Sequence, residues 1–301
     1  MTVLRTIRRR ILPTIGAAIA LLGAAACGPS AADSGDDALV FGIIPYENSS
    51  SVGQNYQPIV DLIGRETGKK IQVETVTDYA ALIEGQRAGT IDLAFYGGIS
   101  YVLAKDSGAG IQPVAVPVLE RGAPAGYYSY LIAKAGSGIN TLADLKGKRV
   151  CFVDPNSTSG YLYPLGGLTE AGLREGDYTA QYAGGHDASV LAVRDGDCDA
   201  GAVNDVMLEK ILPQQGEIDP TGFVKIWTSQ PIVNPPLAIS ERVDPQLRQT
   251  ITKAVAEKGN ADALKVKDIA GFWGFVPIDD QAFEPIRNVC RATNAEICKT
   301  G

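Results

Sequence analysis

Three consecutive hydroxyl side chains stand between an apolar, β-branched run and a stretch with helical periodicity. Ser157, Thr158 and Ser159 follow the predicted strand 149–154. Backbone N–H groups at the start of a helix, together with hydroxyl donors, can bind an anion without any cationic side chain. The sequence therefore predicts an anion site here, and the alternative is that Ser157 only caps the helix. No G-x-x-x-x-G-K motif supports a nucleotide-binding P-loop.

Two further turns place polar side chains where apolar segments give way to helices. His186, the only histidine of the chain, follows Gly184 and Gly185 at the start of a predicted helix, and Asp205 ends the strand-like run A-V-N-D. An imidazole and a carboxylate at such positions can contact a bound ligand. The simpler alternatives are an exposed or capping histidine and a helix-capping aspartate.

The N-terminal part of the chain adds two tyrosines at predicted strand ends. Tyr46 follows I-P, and Tyr96 comes just before Gly97 and Gly98. A phenol at such a position can donate a hydrogen bond to a ligand, although it can also be a packing aromatic.

An enzyme is the rival interpretation of these residue types. A serine at 157 or 159 with His186 and Asp205 would supply the groups of an acyl-transfer triad. No G-x-S-x-G elbow is present, and three adjacent hydroxyls fit anion contact better than one activated nucleophile. We therefore expect no enzyme. The lone histidine and the lack of C-x-x-C also argue against a metal site, and we expect no cofactor.

The N-terminus has the pattern of an export signal. Four arginines precede an apolar run that ends in L-G-A-A-A before Cys27, which resembles a bacterial lipobox. We predict a signal peptide over 1–26, lipidation of Cys27, and a flexible polar tether over 27–38. The alternative is an ordinary secretory peptide. Extracytoplasmic anchoring to the bacterial cell membrane follows from the lipidated form.

Cysteine and charge counts agree with export. The four remaining cysteines suit an oxidising compartment, and we pair Cys290 with Cys298 by proximity and Cys151 with Cys198 by elimination. Removing the four arginines takes the net charge from −7 to −11, which disfavours a nucleic-acid partner.

The elements that must position these residues alternate between strand and helix patterns. In the first part of the chain, strands are predicted over 39–45, 71–76 and 91–96 and helices over 56–67 and 79–88, and the pattern resumes after Gly126. Two α/β lobes with parallel sheets are predicted, 39–125 plus 233–301 for the first and 126–232 for the second. Because the second lobe is inserted in the first, two chain crossings imply a hinged cleft. Ligands of open α/β sheets bind at the carboxyl ends of the strands, where the polar turns lie.

Several motifs together resemble the phosphate, phosphite and phosphonate-binding lipoproteins of ABC transporters. The resemblance spans almost the whole chain after the signal. It rests on F-Y-G-G at 95–98, Y-S-Y-L-I-A at 128–133, L-A-D-L-K-G-K at 142–148, V-D-P-N-S-T-S-G-Y at 153–161, G-G-H-D-A-S-V at 184–190, V-N-D at 203–205 and G-F-V-P-I-D-D at 274–280.

This resemblance implies a type II periplasmic-binding-protein fold, an ABC permease as partner, and a phosphorus oxyanion as ligand. It implies that the hydroxyls of 157–159, His186 and Asp205 meet the anion from the second lobe. Tyr46 and Tyr96 would close from the first lobe, with Tyr128 and Ser129 near the crossing. We expect a monomer, and the open alternative is a receptor of the same fold for another small solute.

Overall fold

The computed structural model describes residues 38–45, 52–265 and 272–299. The predicted signal peptide, Cys27 and Tyr46 lie outside these ranges. No helix within them is long and apolar enough to span a membrane.

Thirteen strands and nine α-helices are formed in the described ranges. The strands are β1 (Ala38–Ile43), β2 (Lys70–Thr75), β3 (Leu93–Phe95), β4 (Ile111–Val118), β5 (Gly126–Tyr127), β6 (Ser129–Lys134), β7 (Arg149–Phe152), β8 (Thr179–Tyr182), β9 (Ala200–Asn204), β10 (Phe223–Thr228), β11 (Ile232–Val233), β12 (Leu237–Ser240) and β13 (Gly274–Pro277). The α-helices are α1 (Val52–Thr67), α2 (Tyr79–Ala88), α3 (Gly98–Asp106), α4 (Tyr163–Glu170), α5 (His186–Asp195), α6 (Leu212–Gln214), α7 (Pro245–Lys258), α8 (Ala261–Leu264) and α9 (Glu284–Thr293). Short 3₁₀ segments lie at Leu142–Leu145, Pro220–Gly222, Asp280–Phe283 and Glu296–Lys299, and π-helical turns at Thr158–Leu162 and Met207–Ile211.

Local capping explains why helix bounds could be predicted. At the start of α2, the Asp78 carboxylate accepts a hydrogen bond from the Ala81 N–H at 2.7 Å. At its end, Gly89 adopts a left-handed conformation with φ of 78° and donates to the Gln86 carbonyl. These are ordinary start and stop signals of a helix, and α2 has the predicted bounds.

The first lobe is built on a six-stranded sheet in the order β13-β4-β12-β3-β1-β2. Strands β1, β2 and β3 are parallel, whereas β12 is antiparallel to β3 and β4, and β13 is antiparallel to β4. The predicted parallel arrangement is confirmed for β1, β2 and β3, whereas the antiparallel pairings of β12 and β13 make the whole sheet mixed. The chain returns from the second lobe at the carboxyl end of β3, so β12 enters the sheet in the opposite direction.

The second lobe is built on a five-stranded sheet in the order β10-β6-β9-β7-β8. Strands β7, β8 and β9 are parallel, and β6 and β10 are antiparallel to their neighbours. The turns that follow the three parallel strands therefore lie at one edge of the sheet. They carry the hydroxyls of 157–159, His186 and Asp205.

Two chain crossings connect the lobes. Strand β5 enters the second lobe, β11 leaves it, and the two pair as an antiparallel ribbon. One buried apolar cluster includes Tyr79 and Tyr96 of the first lobe, Tyr127 of the crossing, and Val153 and Leu162 of the second. The lobes are thus packed against each other, and the predicted two-lobed α/β fold is present.

Two disulfides are formed among the described residues. Cys151 of β7 is bonded to Cys198, which precedes β9, with their Cα atoms 5.8 Å apart. Cys290 of α9 is bonded to Cys298, with a Cα separation of 5.6 Å. Both predicted pairings are present in the structure.

Candidate functional site

The turn that carries the three hydroxyls, residues 157–159, begins a helix of unusual local geometry. The Ser157 hydroxyl accepts from the Gly160 N–H at 3.1 Å, so Ser157 does cap the helix. The first turn is π-helical, with the Leu162 N–H bonded to the Ser157 carbonyl. A Cβ on Gly160 would lie 2.4 Å from the Cβ of Val153, so only glycine allows the turn to pack against β7.

All three hydroxyls are nearly inaccessible to solvent, at 2% residue exposure each. Thr158 Oγ1 accepts from the Ile99 N–H of the first lobe at 2.8 Å. The Ser157 hydroxyl is hydrogen-bonded to the phenol of Tyr79, also in the first lobe. The turn therefore lies at the contact between the lobes.

Ser129 supports this turn from behind. Its hydroxyl donates to the Ser159 carbonyl at 2.6 Å, and its own N–H donates to the Ser229 hydroxyl at 2.9 Å. Because the hydroxyl proton is used within the protein, the side chain orients the turn.

Tyr127 and Tyr128 are neighbours at the first chain crossing, and their side chains point in different directions. Tyr128 is 39% exposed, and its carbonyl accepts from the Asp205 N–H at 3.0 Å. Tyr127 is buried, and its phenol is hydrogen-bonded to the hydroxyls of Ser159 and Thr158. Tyr127 was not among the predicted site residues. Side chains two residues apart in an extended chain lie on the same face. The predicted role of Ser129 could therefore have pointed to Tyr127 as a further site residue.

His186 is buried at the start of α5, with 2% exposure, so the exposed-histidine alternative is wrong. Burial lowers the pKa of the imidazole to about 3, and the ring is therefore neutral. Its Nδ1 accepts from the Asn204 N–H at 3.3 Å. This bond requires an unprotonated Nδ1 and places the proton on Nε2, which makes His186 a neutral donor.

The same tautomer argues against a serine nucleophile. In an acyl-transfer triad, histidine Nδ1–H donates to the carboxylate and Nε2 accepts the proton of the serine. Here Nδ1 is an acceptor for a backbone N–H, and the low pKa makes the ring a weak base. The geometry supports binding rather than proton abstraction.

Asp205 lies just beyond the end of β9. The side-chain oxygen of Asn204 accepts from the Met207 N–H at 2.8 Å, so Asn204 makes the capping bond that the simpler interpretation gave to Asp205. One oxygen of Asp205 accepts from the Val206 N–H at 2.9 Å. Burial raises the pKa of this carboxyl, and the charge of Glu209 adds to the shift.

Tyr96 is fully buried in the first lobe. Its backbone N–H donates to the Pro236 carbonyl at 3.0 Å, but its phenol oxygen has no hydrogen-bond partner in the part of the chain that the structure describes. Burial raises the pKa of the phenol, so the group is protonated and able to donate. A buried hydroxyl without a partner is costly, so this phenol is a candidate hydrogen-bond donor to a ligand.

The structure thus brings the hydroxyl turn, His186 and Asp205 together at one edge of the second sheet, with Ser129 behind them and Tyr128 at the surface. Within residues 38–45, 52–265 and 272–299, no cluster of three histidine, cysteine or carboxylate side chains could hold a metal ion.

Comparisons with known proteins identify the family of the chain. Residues 41–283 match the family model described as the periplasmic substrate-binding protein of phosphonate ABC transporters. The phosphate-import protein PhnD of Mycolicibacterium smegmatis is 36% identical, over 96% of this chain and 97% of its own. The phosphonates-binding periplasmic protein of Escherichia coli is 30% identical, over 87% of this chain and 78% of its own.

A solved structure gives the same fold. The binding protein component of a phosphonate ABC transporter from Pseudomonas aeruginosa superposes with a TM-score of 0.77 at 28% identity, covering 85% of this chain and 86% of that one. The predicted periplasmic-binding-protein fold is confirmed. The fold and the family match agree, and this chain belongs to the family of periplasmic substrate-binding proteins of phosphonate ABC transporters.

Proposed function

We propose that this protein captures a small phosphorus oxyanion between its lobes and delivers it to an ABC importer outside the cytoplasm. The observation that carries this proposal is the burial of three adjacent hydroxyls at the same edge of the sheet as a buried, neutral imidazole. Relatives named for phosphate import and phosphonate binding support it. Such binding proteins are not enzymes, and the tautomer of His186 supports the same role here.

The donors at this edge fit a tetrahedral oxyanion. Phosphate, phosphite and small phosphonates are small anions with several acceptor oxygens. Donors held in fixed positions by the protein can replace the hydrogen bonds that water makes to these oxygens. The hydroxyls of 157–159, the Nε2–H of His186 and the phenol of Tyr96 are of this kind. Tyr46 would contribute a second phenol from the first lobe.

Asp205 is proposed to select among anions. A carboxylate near an anion is repulsive unless it accepts a hydrogen bond from a P–OH group or from an ammonium group on the ligand. Burial also raises the pKa of Asp205, which favours a shared proton. Fully ionised sulfate offers no proton and is disfavoured.

The finer aspects of location are also proposals. The arginine-rich start, the apolar run and L-G-A-A-A before Cys27 favour a lipid anchor at that residue. We further propose that the protein acts as a monomer, since one cleft between two lobes of a single chain is a complete site.

The first experiment is a thermal-shift panel of phosphate, phosphite, methylphosphonate, 2-aminoethylphosphonate and sulfate. We expect at least one phosphorus oxyanion to raise the melting temperature in proportion to the logarithm of its concentration, because only the folded state binds it. Sulfate should give little shift. Stabilisation by none of the phosphorus compounds would overturn the proposed function.

His186→Ala is expected to weaken every phosphorus oxyanion that binds. Loss of a hydrogen bond to a charged group costs about 1.5–3 kcal/mol, or about ten- to a hundredfold in affinity. The ratio of wild-type to variant affinity should be the same at pH 5.5 and pH 8, because the imidazole is neutral at both. Calorimetric titration measures the two affinities. A wild-type to variant affinity ratio that increases at low pH would mean that His186 donates as an imidazolium.

A stability measurement on His186→Gln checks the same protonation state. The unfolded histidine binds a proton near pH 6.5, whereas the folded one stays neutral down to about pH 3. Histidine 186 therefore lowers wild-type stability as the pH falls below about 6.5, by at most about 1.4 kcal/mol per pH unit. The free energy of unfolding of wild type should fall relative to the variant over this range.

Asp205→Asn is expected to change selectivity rather than weaken all ligands alike. Ligands with a P–OH or an amine should lose affinity and sulfate should gain it, because the like-charge repulsion is removed. Glu209→Gln is the matched control, since it removes the same charge one helical turn away. Equal losses for all anions in Asp205→Asn, or the same selectivity change in the control, would contradict the selector role.

Cys27→Ser tests the anchor. We expect the wild-type protein to fractionate with membranes and the variant to be released, because the thioether-linked lipid is lost. A variant that is as membrane-bound as wild type would exclude Cys27 as the site of attachment.

A further inference from the structure

The hydroxyl of Thr158 makes a direct bond between the lobes. Thr158 Oγ1 accepts from the Ile99 N–H at 2.8 Å, and both residues are buried. Ile99 is the second residue of α3, so its N–H has no acceptor within its own helix. The second lobe therefore satisfies a donor that the first lobe leaves open.

The glycine pair before Ile99 makes this approach possible. Gly97 has a φ of −78°, and neither Gly97 nor Gly98 is in the left-handed region, so backbone freedom does not explain them. A Cβ on Gly98 would lie 3.3 Å from Thr158 Oγ1 and 2.4 Å from the Cδ1 of Ile286. Glycine at 98 avoids a clash with Ile286 and also leaves room for Thr158 of the other lobe, which would be in tight contact with a Cβ there.

Further contacts join the turn after β7 in the second lobe to the first lobe. The backbone N–H of Tyr79 donates to the Asp154 carboxylate, and the Tyr79 phenol is hydrogen-bonded to Ser157. Asp154, Ser157 and Thr158 all lie on the turn after β7. This turn thus contacts α2 and α3 of the first lobe.

We propose that Thr158 is the residue that holds the lobes closed, with Gly98 providing its space. A hydroxyl has one proton and two lone pairs. The bond from Ile99 uses one lone pair, and the protonated phenol of Tyr127 can donate to the other, so the Thr158 proton can be donated to the captured oxyanion. One side chain then couples the presence of the ligand to contact between the lobes. This inference rests on the proposed function only for the identity of the ligand.

Amide hydrogen exchange at Ile99, followed by NMR, tests the contact directly. The bond is made by the chain's own groups, so Ile99 should be protected in ligand-free protein and more so with inorganic phosphate. Thr158→Val keeps the shape and removes the acceptor, and should speed exchange at Ile99 about tenfold or more. Thr158→Ser keeps the hydroxyl and should not. Tyr101, whose N–H is bonded to the Gly97 carbonyl within α3, is the internal control and should be unchanged.

A second variant tests the space that Gly98 leaves for Thr158, rather than the Thr158 hydroxyl itself. Gly98→Ala combined with Ile286→Val adds the methyl group and removes Cδ1, the atom it would strike within the first lobe. Ile286→Val alone is the matched control. We expect the double variant to speed exchange at Ile99 and to raise the dissociation rate of phosphate, as Thr158→Val does, with the melting temperature reporting on folding.

The outcomes separate the two proposals. Rapid exchange at Ile99 in wild type, with and without phosphate, would overturn the role of Thr158 in closure. Faster phosphate release in Thr158→Val with unchanged exchange at Ile99 would also overturn it, and would leave Thr158 as a ligand contact only. Protection at Ile99 together with no binding of any phosphorus oxyanion would contradict the proposed function and leave the closure contact intact.

Discussion

The rest of the structure depends on the cost of burying hydrogen-bonding groups at the contact between two lobes. Three hydroxyls and three phenols lie there almost without solvent. A buried polar group without a partner is destabilising, so each must be bonded within its lobe, across the lobes, or to a ligand. Ser129 and Ser157 are bonded mainly within the second lobe, Thr158 bonds across, and the phenol of Tyr96 has no described partner.

The same constraint favours uncharged donors, such as those of the proposed site, at a buried contact. A lysine or arginine buried here would need a counter-charge whenever the ligand was absent. Hydroxyl groups and a neutral imidazole can form hydrogen bonds with water, with protein groups or with a ligand, and these side chains remain uncharged in each case. His186 is suited to this role because the Asn204 N–H holds its Nδ1 and burial keeps the ring unprotonated.

Local signals in the sequence predict much of the fold and most of the turn residues. Helix α2 has its predicted bounds because Asp78 and Gly89 are ordinary cap residues, and the strand-to-helix turns were found because apolar runs end in polar residues. Strand β4 was missed because Pro113 and Pro117 lie in it, and proline is a poor strand signal. The direction of β12 depends on where the chain returns from the second lobe, which no local pattern encodes.

The parts of the site that escaped prediction depend on three-dimensional contacts. Tyr127 rather than Tyr128 contacts the hydroxyls, because alternation along extended chain turns the two side chains to opposite sides. The bond between Thr158 and Ile99 joins residues 59 positions apart. Such a contact follows from how the lobes meet, and the composition of either segment does not reveal it.

The placement of the two disulfides limits what oxidation can join. Cys151–Cys198 ties β7 to the segment just before β9 within the five-stranded sheet, and Cys290–Cys298 ties α9 to the 3₁₀ turn that follows it. Neither bond links the six-stranded sheet to the five-stranded sheet. Oxidation after export can therefore stiffen two separate segments of the chain without adding a covalent link between the two sheets.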